Sequence, residues 1–252
     1  MDHPTHWEFP PELDTSVPWV GSLKALYEHP VSFPASMSPA CGALLRSIVA
    51  NHRPRRALEI GCFVGVSTHW IASAMTEPDA HLWSFDDFGP IEPGPWRKGG
   101  LDVDRQSFVA RALERAGLDD RVTLVRGNSS EWVTRSQPEL REAGGIDLAL
   151  IDGDHTNRGV KRDFLAVEPI LNTGGLVILH DTFPAQCGHH GPRSLIDNLH
   201  LWTAGVKHRV GLDLPAPFVA EGASVIGEGL YEKAEFYLSP LNYGLAVLRR
   251  IG

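Results

Sequence analysis

Four residues close together in the chain have side chains able to hold a metal ion or move a proton: Asp152, His155, His180 and Asp181. They fall in the run IDLALIDGDHTNRGVKRDFLAVEPILNTGGLVILHD, residues 146–181. It reads as strand, acidic turn, helix, Gly-Gly turn and strand. Ligands of an open α/β sheet bind beyond the carboxyl ends of its strands. Asp152 and His155 follow the first strand, and His180 and Asp181 end the second, so both strand ends aim at one crevice. A plainer reading makes Asp152 a turn residue, Asp154 a helix cap and His155 a surface group. Buried strands seldom end in paired charged groups without use, which favours the site. Arg158 and Asp163 read as solvated residues of the intervening helix. Cys187, His189 and His190 follow in FPAQCGHHGPRS. Their spacing matches no structural zinc site, so this segment reads as a substrate loop.

A second group lies upstream in ALEIGCFVGVSTHW. Glu59 lies within the short buried strand 57–60, and Gly61, Gly65 and Ser67 lead into a helix. The glycines let backbone approach a ligand at a helix N-terminus, whose N–H groups and dipole suit a carboxylate or phosphate. Two glycines after a strand are also a common packing device. The spacing G-x-x-x-G lacks the third glycine of a dinucleotide fingerprint, which argues against NAD. One strand later, LWSFDD places Asp86 where a carboxylate can accept both hydroxyls of a ribose, with Asp87 as competitor. The third strand ends in Arg126, Gly127, Asn128 and Ser129. There Ser129 could read an adenine edge near Trp132, or the S-S-E run could be a plain helix start.

Positioning these groups requires strands alternating with helices. Ser38-Pro39 starts a helix to about His52; strands are expected over 57–60, 81–85, 121–125 and at 146 and 176. A short helix is expected around 21–27, another from Asp104 to Ala116 closed by Gly117, one through Trp132, and one from Pro192 to about Trp202. The tail beyond Val206 reads as β-rich, with Tyr243–Arg250 its best strand. The fold class is α/β: a Rossmann-like, doubly wound, mostly parallel sheet with helices on both faces and an antiparallel C-terminal hairpin. The expected organisation is an N-terminal extension over 1–37, serving as lid or dimer contact, and a single domain over 38–252. Its substrate loops are 87–101, with Trp96, and 183–194.

Composition bounds the function. A length of 252 residues suits one decorated α/β domain, and 42% hydrophobic with 21% charged content is ordinary for a globular chain. Lys+Arg 23 against Asp+Glu 31 gives a net charge of −8, which disfavours nucleic acid as a partner. Cys41, Cys62 and Cys187 form no spaced cluster and fit a reducing, cytoplasmic compartment. No apolar run reaches membrane-spanning length, and MDHPTHWEFPPELD lacks the basic-then-apolar design of a signal peptide.

The run ALEIGCFVGVS resembles motif I of the class I S-adenosylmethionine-dependent methyltransferases, especially the catechol- and caffeoyl-CoA-type O-methyltransferases. The run DLALIDGDHTNRGVKRDFLAVEPILNTGGLVILHD is similar to a branch that tailors macrolides and sugars. The resemblance covers residues 38–181, with motifs in family order. It implies S-adenosylmethionine as cofactor, bound by Glu59, Gly61, Gly65 and Ser67 (methionyl part), Asp86 (ribose), Gly127 and Ser129 (adenine side), and Asp152. It implies a divalent metal, magnesium or manganese, on Asp152, His180 and Asp181, and catalysis by Asp152 with His155 as general base. The catechol-type enzymes carry a carboxylate where this chain has His180. An imidazole there favours manganese, iron or zinc, or leaves magnesium two carboxylates and more water, or only hydrogen-bonds Asp181. The implied activity is O-methylation of a small hydroxylated acceptor in natural-product or antibiotic biosynthesis; the aromatic leader separately offers a contact for a homodimer or higher homo-oligomer. The competing classes are a nucleotide-dependent oxidoreductase and a non-catalytic cofactor-binding protein.

Overall fold

The computed structural model of the chain describes residues 5–91, 100–101, 103–202, 225–237 and 243–252. Residues 92–99 of the expected 87–101 loop, with Trp96, and the tail over 203–224 lie outside the described residues. The chain divides after Ser129 into two compact units, the second also taking 243–252.

The first unit begins with helix α1 (Pro18–Glu28), α2 (Pro39–His52), strand β1 (Arg56–Ile60), α3 (Val66–Ala74), β2 (His81–Asp86), α4 (Arg105–Ala116) and β3 (Val122–Arg126). The signals read from sequence act locally. The Ser38 side chain accepts from the Cys41 N–H with Pro39 at the first helical position, and Asp104 accepts from the Ser107 N–H. Gly117 closes α4 in the left-handed conformation. β1, β2 and β3 pair in parallel, with Glu59 opposite Ser84 and Asp86 opposite Arg126. Trp70, Ile71, Leu58, Leu82 and Leu113 are buried in this unit. The leader docks on it: Trp19 meets Trp70 at 5.9 Å, and the Trp70 indole N–H donates to the Tyr27 hydroxyl at 2.9 Å. Leu23 and Leu26 of α1 are fully buried.

The second unit holds α5 (Ser129–Glu142), β4 (Ile146–Ile151), α6 (Asn157–Val167), β5 (Leu171–His180), α7 (Pro184–Cys187), α8 (Gly191–Asp197), β6 (His200–Leu201), β7 (Leu230–Phe236) and β8 (Leu245–Arg250). β4 and β5 are parallel; β8 runs antiparallel to both β5 and β7, and β6 is parallel to β7. The fold class is therefore α/β with parallel strands first and an antiparallel C-terminal hairpin. Phe164, Ile146, Val177, Tyr231 and Leu248 are buried here. Among the described residues no helix is long and apolar enough to cross a membrane.

Three local expectations need correction. α5 continues beyond Trp132 and through Pro138 to Glu142. Ser130, Val133 and Leu140 are buried on one stripe, and this packing outweighs the donor that Pro138 lacks. α8 stops at Asp197 instead of reaching Trp202. The Asn198 side chain donates to the Ser194 carbonyl, and the Trp202 N–H is taken by the Tyr231 carbonyl. Asp163 is not a solvated residue: it is 1% exposed, on the face of α6 that buries Val160, Phe164 and Val167.

Candidate active site

In the first unit the backbone builds a cradle. Gly61 and Gly65 both take φ of 89°, which residues with a Cβ adopt only at a cost. The Gly61 N–H donates to the Phe85 carbonyl and the Gly65 N–H to the Cys62 carbonyl, fixing the turn. Gly65 precedes α3, and Ser67 lies buried in the helix's first turn. The amides opening α3 have no carbonyl a turn earlier to bind, so this is an anion-favouring end.

Two acids support the cradle. Glu59 is 0% exposed and accepts from the Thr68 hydroxyl at 2.7 Å and the Ser84 hydroxyl at 2.5 Å. It ties β1, β2 and α3 together. Asp86 ends β2; its Oδ2 accepts from the Phe63 N–H at 2.9 Å and its Oδ1 from the Phe88 N–H at 2.8 Å. Burial pushes the Asp86 carboxyl up, against the Phe88 N–H, the Arg105 charge and the Phe63 N–H. The Gly127 N–H donates to the Asp86 carbonyl at 2.9 Å. Ser129 opens α5, and Trp132 is exposed on that helix under the Arg135 guanidinium.

Arg105 was not singled out in the sequence, yet it organises this corner. Its Nη2 donates to Asp87 Oδ1 at 2.5 Å and lies 2.6 Å from Asp86 Oδ1. Nε donates to the Gly89 carbonyl and Nη1 to the Phe63 carbonyl. A signal was available: a cation at the first position of a helix opposes the dipole and implies a carboxylate nearby.

In the second unit, parallel pairing puts Ile151 opposite Leu179, so Asp152 and His180 emerge side by side. The four sequence-selected residues do converge. Asp152 Oδ1 lies 3.2 Å from His155 Nε2 and 3.2 Å from His180 Nδ1. Asp181 Oδ2 lies 3.1 Å from His155 Nε2, and Asp181 Oδ1 lies 3.2 Å from His180 Nδ1. Asp181 takes φ of 55°, a left-handed conformation that aspartate tolerates better than most. The cap of α6 is Thr156, whose hydroxyl accepts from the Gly159 N–H; Asp154 instead accepts from the Thr156 N–H. His155 therefore sits on a tight, doubly bonded turn.

The electrostatics are strongly coupled. Burial alone would raise the Asp152 carboxyl, but the His180 and His155 charges and hydrogen bonds hold it well below the usual range. Burial would lower the His155 imidazole, but Asp152 and Asp181 hold it up at about 10. The residues fit a divalent cation on one direct observation: Asp181 Oδ1 is buried and accepts no hydrogen bond of good geometry among the described residues. Ligand atoms of Asp152, His180 and Asp181 all lie within 4.8 Å of one another. The mixed oxygen–nitrogen set suits manganese, iron or zinc as well as magnesium.

The 183–194 segment is ordered as α7 and α8. His189 stacks on His155, with ring centroids 4.6 Å apart and planes 19° from parallel. The segment is tethered at both ends. The Phe183 N–H donates to the Tyr243 carbonyl and the Gly191 N–H to the His155 carbonyl, while Arg193 donates to the Thr182 carbonyl and pairs with Glu235. Cys41, Cys62 and Cys187 form no disulfide.

Residues 58–182 match the family described as "Methyltransferase domain". A caffeoyl-CoA O-methyltransferase of Stellaria longipes is 27% identical over 161 residues, covering 63% of this chain and 58% of that protein. Catechol O-methyltransferase B of Danio rerio is 31% identical over 114 residues, covering 44% of this chain and 36% of that protein. The chain thus matches little more than half, or less, of these relatives' own length. Among solved structures, the O-methyltransferase of Streptomyces achromogenes involved in tomaymycin synthesis, in complex with S-adenosylmethionine, superposes with a TM-score of 0.59 at 17% identity. That match covers 96% of this chain and 91% of the other. An O-methyltransferase of Bacillus cereus in complex with S-adenosylhomocysteine gives 0.56 at 17% identity, covering 95% and 92%. At such identity these two likenesses speak for the fold. The glycine turn, the buried acid of β1 and the acidic ends of β4 and β5 all lie within the span, residues 58–182, that matches the methyltransferase domain.

Proposed function

We propose that this protein is an S-adenosylmethionine-dependent O-methyltransferase acting on a hydroxyl group of a small molecule, with a divalent cation assisting. The observation that carries the reading is the convergence of Asp152, His155, His180 and Asp181 at the ends of β4 and β5. Two carboxylates and two imidazoles meet there within hydrogen-bonding range, in a chain that carries a methyltransferase domain.

In this reading the first unit binds the methyl donor. The Gly61–Gly65 turn and the start of α3 take its methionyl end, Asp86 takes the ribose, and the Gly127–Ser129 turn takes the adenine side. Glu59 acts from behind, holding Thr68 and Ser84 and thereby the helix that receives the donor. Asp152, His180 and Asp181 would hold the cation, whose charge favours the alkoxide form of an acceptor hydroxyl. His155 takes the hydroxyl proton. Its high affinity for protons comes from Asp152 and Asp181, so neutralising those carboxylates releases it to act as base at neutral pH. The acceptor oxygen then bonds to the methyl carbon as the carbon–sulfur bond breaks, leaving a neutral thioether and a protonated His155. Catalysis is positioning and electrostatics, with no covalent enzyme intermediate.

The acceptor class proposed is a sugar, polyketide or phenolic natural product, which the segment 183–194 would contact through His189. A cytoplasmic homodimer completes the reading. The test is incubation with isotopically labelled S-adenosylmethionine and manganese against a panel of hydroxylated natural products. Mass spectrometry should show a gain of one labelled methyl on oxygen. Methylation at nitrogen or carbon alone, or hydride exchange with NAD instead, would overturn the assignment.

A further inference from the structure

We propose that Arg105 is a latch on the methyl-donor site: it blocks the Asp86 carboxylate until a ribose diol displaces it, and Asp87 retains its guanidinium afterwards. The proposal rests on the reading of Asp86 as the ribose-binding acid. It adds a residue to that site and a reason for the paired aspartates at the end of β2.

The argument is one of acceptor capacity. A carboxylate offers roughly four lone-pair directions. On Asp86 the Phe63 N–H takes one on Oδ2 and the Phe88 N–H takes one on Oδ1. Arg105 Nη2, 2.6 Å from Oδ1, fills the remaining space at that oxygen. A single direction is left, on Oδ2, and a vicinal diol brings two hydroxyls. One occupant must withdraw. The two backbone donors cannot, because Phe63 and Phe88 both sit at φ of 49° inside turns that would have to unmake.

Arg105 can withdraw without losing its partners. Its Nη2 already donates to Asp87 Oδ1, its Nε to the Gly89 carbonyl, and the Phe63 and Phe88 rings flank the guanidinium at 5.9 and 5.6 Å. The exposures differ in the direction the exchange needs. The Asp86 and Arg105 side chains are 9% and 10% exposed, whereas that of Asp87 is 79% exposed. Movement toward Asp87 carries the cation toward water, where its hydration replaces part of the lost pairing. Asp86 meanwhile exchanges one cation for two hydroxyl donors. Because Arg105 is the first residue of α4, the same movement reaches that helix's N-terminus.

The test is binding of S-adenosylhomocysteine, by calorimetry for affinity and stopped-flow for rates, in wild type, Asp87→Asn, Arg105→Gln and the double variant. The wild type must bind; failure there refutes the donor reading itself and is recognised separately. Asp87→Asn removes the anchor that receives Arg105, so its association rate should fall by about tenfold, a 1.4 kcal/mol effect, with the dissociation rate nearly unchanged. Arg105→Gln removes the occupant, so binding should be as tight as wild type or tighter. In the double variant the Asp87→Asn penalty should vanish. Unchanged affinity in Asp87→Asn overturns the latch, and this holds even if Arg105→Gln fails to fold, because Asp87 is a surface residue. A penalty appearing in the dissociation rate instead assigns Asp87 a direct ribose contact and overturns it too. Weakened binding in a folded Arg105→Gln makes the arginine scaffolding only.

Discussion

The two units treat their buried acids in opposite ways. In the first, Glu59 and Asp86 are surrounded by donors: two hydroxyls for one, two backbone amides and a guanidinium for the other. In the second, Asp152 and Asp181 face imidazoles and each other, and one buried oxygen of Asp181 accepts no hydrogen bond among the described residues. The first arrangement has most of its acceptor positions filled before any ligand arrives, with Glu59 Oε1 taking neither of the two hydroxyls. The second holds like charges together and is relieved by a cation, whether a proton on His155 or a metal ion. A cradle whose acids are mostly bonded by fixed donors can be rigid. A charge cluster left short of positive charge gives stability up for function.

The contrast can be broken most severely at the acidic strand ends. Asp152→Ala and His155→Ala should each lower turnover by about 10³-fold or more, as loss of a metal ligand or general base does. S-Adenosylhomocysteine affinity, which the proposed reading assigns mainly to the first unit, should stay within about twofold of wild type. Wild-type turnover in either variant removes the second unit from the chemistry. Next in size, chelation by EDTA should reduce activity by about two orders of magnitude, with manganese restoring it at least as well as magnesium. Without any acceptor, manganese should raise the melting temperature of wild type and leave that of Asp152→Ala unmoved, because a ligand that binds only the folded state stabilises it. Equal shifts in both proteins would place the ion elsewhere.

Stability should divide the units as well. Glu59→Gln disturbs a fully buried, hydroxyl-bonded carboxylate and should cost about 1–3 kcal/mol, whereas Asp181→Asn loses a partner of the protonated His155 but also relieves the repulsion with Asp152, and should cost the metal-free protein less. Urea titration of both variants decides, and a larger loss in Asp181→Asn would reverse the comparison. Acid should expose a further difference. Burial lowers His69 to about 4, against hydrogen bonds to the Gly65 and Ala112 carbonyls. Its folded pKa lies below its unfolded value near 6.5, so the unfolded chain binds more protons between these values. Stability from keeping His69 neutral is present above about pH 6.5 and is lost progressively as pH falls toward 4. A His69→Gln variant should show a shallower decline between pH 7 and 5, by on the order of 1–2 kcal/mol.

Much of this contrast was readable in the residues. Apolar runs ending in Asp152 and His180 specify parallel strands with aligned tips, and local rules placed the caps at Ser38, Asp104 and Gly117. What escaped depended on partners distant in the chain. Arg105 gains its meaning from Asp86 and Asp87, which approach only once β2 and α4 are formed. Glu59 reads as a ligand-facing acid in isolation, yet strand register sets it opposite Ser84 and the next helix brings Thr68 to it. The charge of Asp163 points to water, although its spacing from Val160 and Phe164 puts it on the inward face. Thr156, rather than Asp154, caps α6 because the acid is spent on the turn that presents His155.

The stretch from Phe183 to Arg193 is pinned to Tyr243, to the His155 carbonyl and to Thr182, while residues 184–190 run between those anchors. Among the described residues of this span, only His189 reaches the candidate base, by stacking on His155. Under the proposed reading the short span between the pins can be exchanged for one of different bulk or polarity to retune which alcohols are accepted, provided that His189, whose ring stacks on His155, is kept. Such a grafted segment is the natural starting point for redirecting this scaffold toward chosen molecules.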